Sequence, residues 1–494
     1  MTTTLATAVS LAPKNLLVLM SDEHNPRAMG CAGHALAQTP HLDYLAARGT
    51  RFTSAYTTSP ICVPARAGFA TGKYPHQIGY WDNADAYDGA VPSWHHLLRA
   101  CGHQVVSIGK LHFRGLPGDD HGFSEELLPM HVVDGIGDVR GLIRRDIPRR
   151  NGYYKLAELA GPGESPYTRY DRDIAARAQL WLREEAPRHR ERPWALFVSF
   201  VCPHFPLIAP PEFYGRYPLE RIPLPKQYLQ GERPEHPYLR DYDACVAYDA
   251  GFDGDHGKVR RAIAGYLGLV SFTDDNVGKV LHALEDAGLT DDTRVVYTSD
   301  HGDNVGARGL WGKSTMYEES AGVPLILAGP GIAAGASCAT PASHVDLFPF
   351  FLECAGVPAP GNGRYGVSPL ALAAGRHADR AVLSEYHAIG STGGITMLRK
   401  GRWKYVHCVR YRPQLFDLEK DPEELADVAG DPACRAMLAA LEADLRRFCD
   451  PEEVDARAKR RQAELLERFG GREAALARGD LNYTPAPGQA PDLN

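Results

Sequence analysis

The sequence predicts an α/β protein: a large mixed, mostly parallel sheet sandwiched by helices, with a smaller C-terminal antiparallel-sheet subdomain. Three observations carry this reading. Apolar runs rich in β-branched residues are continuous rather than alternating, as strands buried on both faces require. Helical patterns alternate with those runs. Beyond about residue 380 the texture changes to short strands and tight turns.

The strand runs, in order, are "NLLVLMSD" (15–22), "HQVVSIGKLH" (103–112), "WALFVSFVCPH" (194–204), "RVVYTSDHGD" (294–303) and "VPLILAGPG" (323–331). Helical patterns occupy 41–49, 93–102, 170–186 and 267–288. In "SPICVPARAGFATG" (59–72), Pro64 suits a first helical turn and Gly72 a helix end, so a loop enters a short helix near Cys62. "AVLSEYH", "GITMLRKGRWKYVHC" and "PQLFDLEKDPEE" predict the small antiparallel sheet. From Pro451 a charged helical segment runs into a Pro-rich tail, "LNYTPAPGQAPDLN", whose composition does not support packing alone. The expected domains are 1–380, 381–450 and 451–494.

Bulk properties narrow the function. At 494 residues the chain has room for a main domain and a smaller one. A net charge of −7 and the lack of any basic block exclude a nucleic-acid binder, which needs concentrated positive charge. The ten cysteines form no C-x-x-C pair, which disfavours a zinc knot or a compact disulfide framework and fits a reduced, cytoplasmic setting. The N-terminus has no basic region ahead of its short apolar stretch, and no run approaches the roughly 18 apolar residues of a membrane span.

Polar residues cluster where these strands end. Asp22, Glu23, Lys110, His112, His204, Asp300 and His301 all fall at or just past C-terminal strand ends, the place where open parallel sheets bind ligands. Asp22–Glu23 and Asp300–His301 offer oxygen donors and an imidazole suited to Ca²⁺, Mg²⁺ or Mn²⁺. Arg66, four residues past Cys62, shares its helical face and can pair with the group at position 62. Lys110, His112, His204 and Lys313 add donors and proton carriers, although each taken singly reads equally well as an ordinary surface lysine or satisfied histidine. A cation-lined pocket, a divalent ion and a nucleophile together suit transfer of a tetrahedral oxyanion, sulfuryl or phosphoryl.

These residues resemble the type I, formylglycine-dependent sulfatases of the alkaline phosphatase superfamily. The resemblance rests on C-x-P-x-R at Cys62–Arg66 extended by "AGFATG", on "LVLMSDE", "GKLH", "PHFP", "TSDHGD" and "GLWGKSTMYE", and on the "FDLEKDPEE" turn, in the family's order along nearly the whole chain. His301 matches the branch that holds choline-sulfatase-like enzymes and phosphonate monoester hydrolases. The resemblance implies an alkaline-phosphatase-like fold and conversion of Cys62 to Cα-formylglycine by a maturation enzyme. It further implies one divalent ion, Ca²⁺, Mn²⁺ or Mg²⁺, held by Asp22, Glu23, the modified Cys62, Asp300 and His301. Arg66 and Lys110 would stabilise the aldehyde hydrate and sulfate, and His112 would be the base that releases sulfate. His204 and Lys313 would assist the leaving oxygen, and Asn83 would hold substrate oxygens.

The resulting expectation is hydrolysis of a small alkyl or aryl sulfate monoester. The alternatives are a phosphonate monoester or phosphodiester hydrolase with the same nucleophile, or a sulfate-ester binder with unmodified Cys62. Trp81, Trp94 and Trp311 lie near candidate site residues in sequence and offer an aromatic cage for a quaternary ammonium ester. By the same resemblance the C-terminal tail wraps a neighbouring subunit, predicting a homo-oligomer, a dimer or tetramer.

Overall fold

A computed structural model describes residues 12–360 and 366–493. The main sheet has eight strands: β1 (Asn15–Asp22), β2 (Gly49–Phe52), β3 (Val105–Lys110), β4 (Glu125–Met130), β5 (Ala195–Pro203), β6 (Thr293–Ser299), β7 (Leu325–Ala328) and β8 (Ala336–Cys338). Their order across the sheet is β8-β2-β7-β6-β1-β5-β3-β4. Only β7 is reversed, antiparallel to both β2 and β6. All other neighbours pair in parallel.

The two faces of β1 explain its unbroken apolar run. Leu17 and Leu19 join one core with Val106, Ile108, Leu196 and Val198, while Leu16, Val18 and Met20 join a second with Phe69, Trp94, Phe197 and Phe351. A strand with helices on both sides has no solvent face on which to place polar residues. The first core is closed by α4 (Pro166–Glu184) and α5 (His256–Asp286), the second by α2 (Cys62–Thr71), α3 (Trp94–Ala100) and α6 (Leu347–Ala355); α1 (Pro40–Ala47) packs on α5. Helix α5 begins at His256 rather than near residue 267, because the Asp255 carboxylate accepts hydrogen bonds from the Gly257 and Lys258 N–H groups and starts the helix in a polar stretch.

Strands β9 (Ala381–Tyr386), β10 (Ile395–Lys400), β11 (Trp403–Cys408) and β12 (Gln414–Asp417) form a separate antiparallel sheet in sequence order. Helix α7 (Arg435–Phe448) packs on it through Leu441 and Leu445. Helix α8 (Pro451–Arg468) then returns to the main body, where Gln462 bonds Asp82 and Arg461 pairs with Asp85, and α9 (Gly471–Ala477) follows. Among the described residues no helix is long and apolar enough to cross a membrane.

One buried histidine gives the fold a measurable acid response. Burial pushes the His95 imidazole from 6.5 down to about 3. The unfolded chain therefore takes up a proton near pH 6.5 that the folded chain refuses, and stability falls as pH drops through that interval. Relative to His95→Gln, the wild type is expected to lose about 1.4 kcal/mol per pH unit between pH 6.5 and 3. Urea midpoints of both proteins across that range check it; parallel curves would contradict the neutral buried imidazole.

Candidate functional site

Strands β6, β1, β5 and β3 are adjacent and parallel, so their C-terminal ends share one edge of the sheet. From that edge β1 delivers Asp22 and Glu23, β3 delivers Lys110 and His112, β5 delivers His204, and β6 delivers Asp300 and His301. Helix α2 brings Cys62, its first residue, to the same point and is fully buried. It ends at Gly72, whose φ of 64° closes the last turn in the left-handed region.

The site has two layers. In the lower one, Cys62 Sγ lies 3.2 Å from His301 Nε2 and 3.8 Å from Asp22 Oδ1. Asp22, Cys62, Asp300 and His301 each turn one donor atom toward a common point, all within 4.8 Å of one another. His301 Nδ1–H donates to the Gly302 carbonyl at 3.1 Å, which leaves the Nε2 lone pair facing that point. Arg66 is spent on the carboxylates: Nε reaches Asp300 Oδ2 and Nη2 reaches Asp22 Oδ2, both at 2.9 Å, while Nη1 donates to the Lys110 carbonyl and Ser199 Oγ. The expected pairing of Arg66 with the group at position 62 is therefore replaced by a clamp on two aspartates. Lys110 Nζ also reaches Asp22 Oδ2, at 2.7 Å.

Above this floor opens a cleft lined by Glu23, Cys62, Asn83, His112, His204 and Lys313 among others. Lys313 Nζ bridges Glu23 Oε2 at 3.0 Å and His204 Nε2 at 2.8 Å. His204 Nδ1–H donates to the Phe205 carbonyl, so Nε2 is the nitrogen that accepts from Lys313. Asn83 Oδ1 accepts from the Val63 N–H and fixes the start of α2. His112, held at φ 55°, places Nε2 at 2.8 Å from Thr484 Oγ1.

Thr484 belongs to the C-terminal tail, whose residues 481–484 line this chain's own cleft. Tyr167 donates to the Thr484 carbonyl, and the Tyr483 ring meets those of Tyr167 and Phe205 at 5.6 and 6.1 Å. The buried Asp480 ties the tail down through Arg140 and Arg150. The tail contact gave no sequence signal, since nothing local to "LNYTP" records a partner more than 300 residues away. The tryptophan cage is also absent: Trp94 packs on Phe351 at 4.8 Å, Trp311 stacks on Phe252 at 4.5 Å, and Trp81 faces His387 at 5.1 Å. The aromatic walls are Tyr153, Phe205, Tyr242, Tyr248 and Tyr483. Removing residues 481–494 is expected to raise KM about tenfold, about 1.4 kcal/mol for a lost hydrogen bond and aromatic wall. Steady-state kinetics on the truncated chain measure this, and an unchanged KM would contradict a tail that shapes the cleft.

Electrostatics sort the groups by role. Burial pushes the Asp22 carboxyl up, but Lys110, His204 and Arg66 outweigh it and hold it well below the usual range. Burial, with Asp22 beside it, raises Asp300; burial raises Glu23 to about 8 despite Lys313. Burial and then Asp22 push the Cys62 thiol up to about 12. Burial lowers both His112 and His204, with Lys110 and Arg66 adding to the first and Lys313 to the second, so both imidazoles are neutral. In the lower layer two carboxylates, Asp22 and Asp300, face two cations, Arg66 and Lys110, and above them Glu23 Oε1 is buried without a hydrogen-bond partner. Gly312, at φ 67°, keeps that oxygen's surroundings open, as a Cβ there would sit 3.4 Å from it. Oxygen donors with one deprotonated imidazole nitrogen fit a divalent cation.

The sulfatase family model matches residues 14–357, well over half of the chain. The chain belongs to the sulfatase family. It is a hydrolase acting on sulfuric esters. A second model, the C-terminal region of N-sulphoglucosamine sulphohydrolase, matches residues 306–450 of this sulfatase. A choline-sulfatase of Rhizobium meliloti is 34% identical over 468 residues, spanning 91% of this chain and 89% of that protein. Human arylsulfatase K is 29% identical, over 84% of this chain and 78% of its own. Among solved structures, the phosphonate monoester hydrolase of Agrobacterium radiobacter shares the fold of this sulfatase with a TM-score of 0.72 at 22% identity, covering 88% of this chain and 95% of that one.

Proposed function

We propose that this sulfatase hydrolyses a small alkyl or aryl sulfate monoester, with Cys62 oxidised to Cα-formylglycine and one divalent ion, Ca²⁺, Mn²⁺ or Mg²⁺, held by Asp22, Asp300 and His301 with Glu23 beside them. One observation carries the reading: residue 62 sits at the cleft floor against Asp22 and His301, with its thiol pushed up to about 12. Cys62 opens the C-x-P-x-R motif, which the family resemblance marks for conversion to Cα-formylglycine. The hydrated aldehyde supplies two hydroxyls, one to attack sulfur as the alcohol leaves and one to release sulfate by restoring the aldehyde. The ion, when bound, lowers the cost of oxyanion charge at that point.

The protein's own residues do the rest. Arg66 and Lys110 keep Asp22 ionised and hold its carboxylate in place. Neutral His112 takes a proton from the residue-62 hydroxyl that expels sulfate. Lys313 and His204, sharing one hydrogen bond, hold a proton where the alcohol oxygen departs. Asn83, its carbonyl fixed on α2, keeps its amide N–H groups for a sulfate oxygen. Cys62 is 1% exposed, so the maturation enzyme must read it before the chain folds. All ten cysteines are free, which suits a reducing, cytoplasmic setting.

The experiment is a comparison of kcat/KM for an aryl sulfate, choline sulfate and phenyl phosphonate, before and after chelation. Sulfate esters are expected to exceed the phosphonate at least tenfold, and chelation to abolish turnover until the correct ion returns. Phosphonate preference would overturn the sulfate assignment in favour of a phosphonate monoester hydrolase. Tight binding of sulfate ester without turnover would favour the unmodified binder.

A further inference from the structure

A second donor cluster lies outside the cleft, around the edge strand β4. Glu126 is on the strand, His121 precedes it and His131 follows it. Glu126 Oε1 is 2.9 Å from His121 Nδ1, and Oε2 is 3.3 Å from His131 Nε2. The three donor atoms lie within 4.8 Å of one another. Two donors each about 2.1 Å from one ion, at 90–109° to each other, are about 3.0–3.4 Å apart. The His131 contact falls in that range, and the His121 contact, to the other carboxylate oxygen, is a hydrogen bond just below it.

The rings are held in place rather than swinging free. The His121 carbonyl accepts from His95 Nδ1 at 2.7 Å, and the His121 ring packs at 5.1 Å from Phe113. The His131 ring lies over Gly115, where a Cβ would come within 2.4 Å of His131 Cγ, and Gly115 has φ 67°. The other nitrogens, His121 Nε2 and His131 Nδ1, are buried with no hydrogen-bond partner, so each ring's polar chemistry is directed at Glu126. Glu126 and His131 side chains stay 24% and 21% exposed, which leaves an entry path and room for water. Two imidazoles and one carboxylate are the donors of a borderline-soft ion, unlike the oxygen-rich set in the cleft.

We propose that His121, Glu126 and His131 bind a first-row transition-metal cation of the Zn²⁺ type, at a site separate from the hydrolytic centre. The ion clips the segment between β3 and β4 to the edge strand, tying the connection that follows His112.

The test titrates the full-length protein, its catalytic centre saturated with the activating ion, with Zn²⁺ or Co²⁺ and compares it with Glu126→Gln and His131→Ala. The wild type is expected to bind one equivalent more than His131→Ala and to hold it at least tenfold more tightly than Glu126→Gln. Co²⁺ is expected to give a ligand-field spectrum in the wild type that His131→Ala lacks, and Zn²⁺ to raise the wild-type Tm but not that of His131→Ala. Sulfatase turnover stays at the wild-type level in both variants. Equal stoichiometry and equal Tm response in the three proteins would overturn the proposal, leaving an ion pair of Glu126 with two imidazoles.

Discussion

Cys62→Ala is expected to lower kcat/KM on the order of 10⁴-fold or more, because no neighbouring group can replace the nucleophile at the cleft floor. The fold is expected to survive: the change removes one buried sulfur, and a small cavity there costs about 1–2 kcal/mol. Cys62→Ser is the sharper variant. A serine hydroxyl can take the sulfuryl group but has no second hydroxyl with which to release it, so one equivalent of alcohol is expected per chain, then arrest. Burst kinetics with an aryl sulfate read this directly. Full steady-state turnover by either variant would mean that residue 62 does not carry the reaction.

Arg66→Met is expected to be the most damaging change to the fold at the site, about 3–5 kcal/mol. The guanidinium is 2% exposed and binds Asp22 and Asp300, both fully buried. Without it, Lys110 alone faces the two carboxylates, and Asp300, already raised by burial and by Asp22, is left uncompensated. Activity is expected to vanish with the geometry of both aspartates. The effect is separable from general misfolding: Arg66→Met combined with Asp300→Asn is expected to recover about 1–2 kcal/mol relative to Arg66→Met alone, since the uncompensated charge is gone. Denaturant midpoints of the four proteins in that cycle check it, and additive losses would contradict the clamp.

What the sequence discloses about this fold is what is local. β1 reads as a two-face strand because both of its faces are apolar within eight residues. The strand-end residues read as a site because parallel strands carry their chemistry to one edge, and Asp22, Lys110, His204 and Asp300 obey that rule. α2 reads correctly from Pro64 and Gly72. What escapes is whatever depends on long-range packing. Arg66 has a sequence neighbour in Cys62, yet its donors go to β1, β3, β5 and the residue after β6, which only the assembled sheet brings within reach. The three tryptophans adjoin site residues along the chain but turn into the interior, each 2% exposed or less. Thr484 meets His112 only because Asp480 anchors the tail beside the cleft.

The most direct test is the mass of the peptide Phe52–Arg66 from protein produced alongside the maturation enzyme, taken from the same sample that turns over sulfate ester. Replacement of the Cys62 thiol by an aldehyde, in proportion to specific activity, is the expected result. An intact thiol throughout an active preparation would contradict the account at its centre.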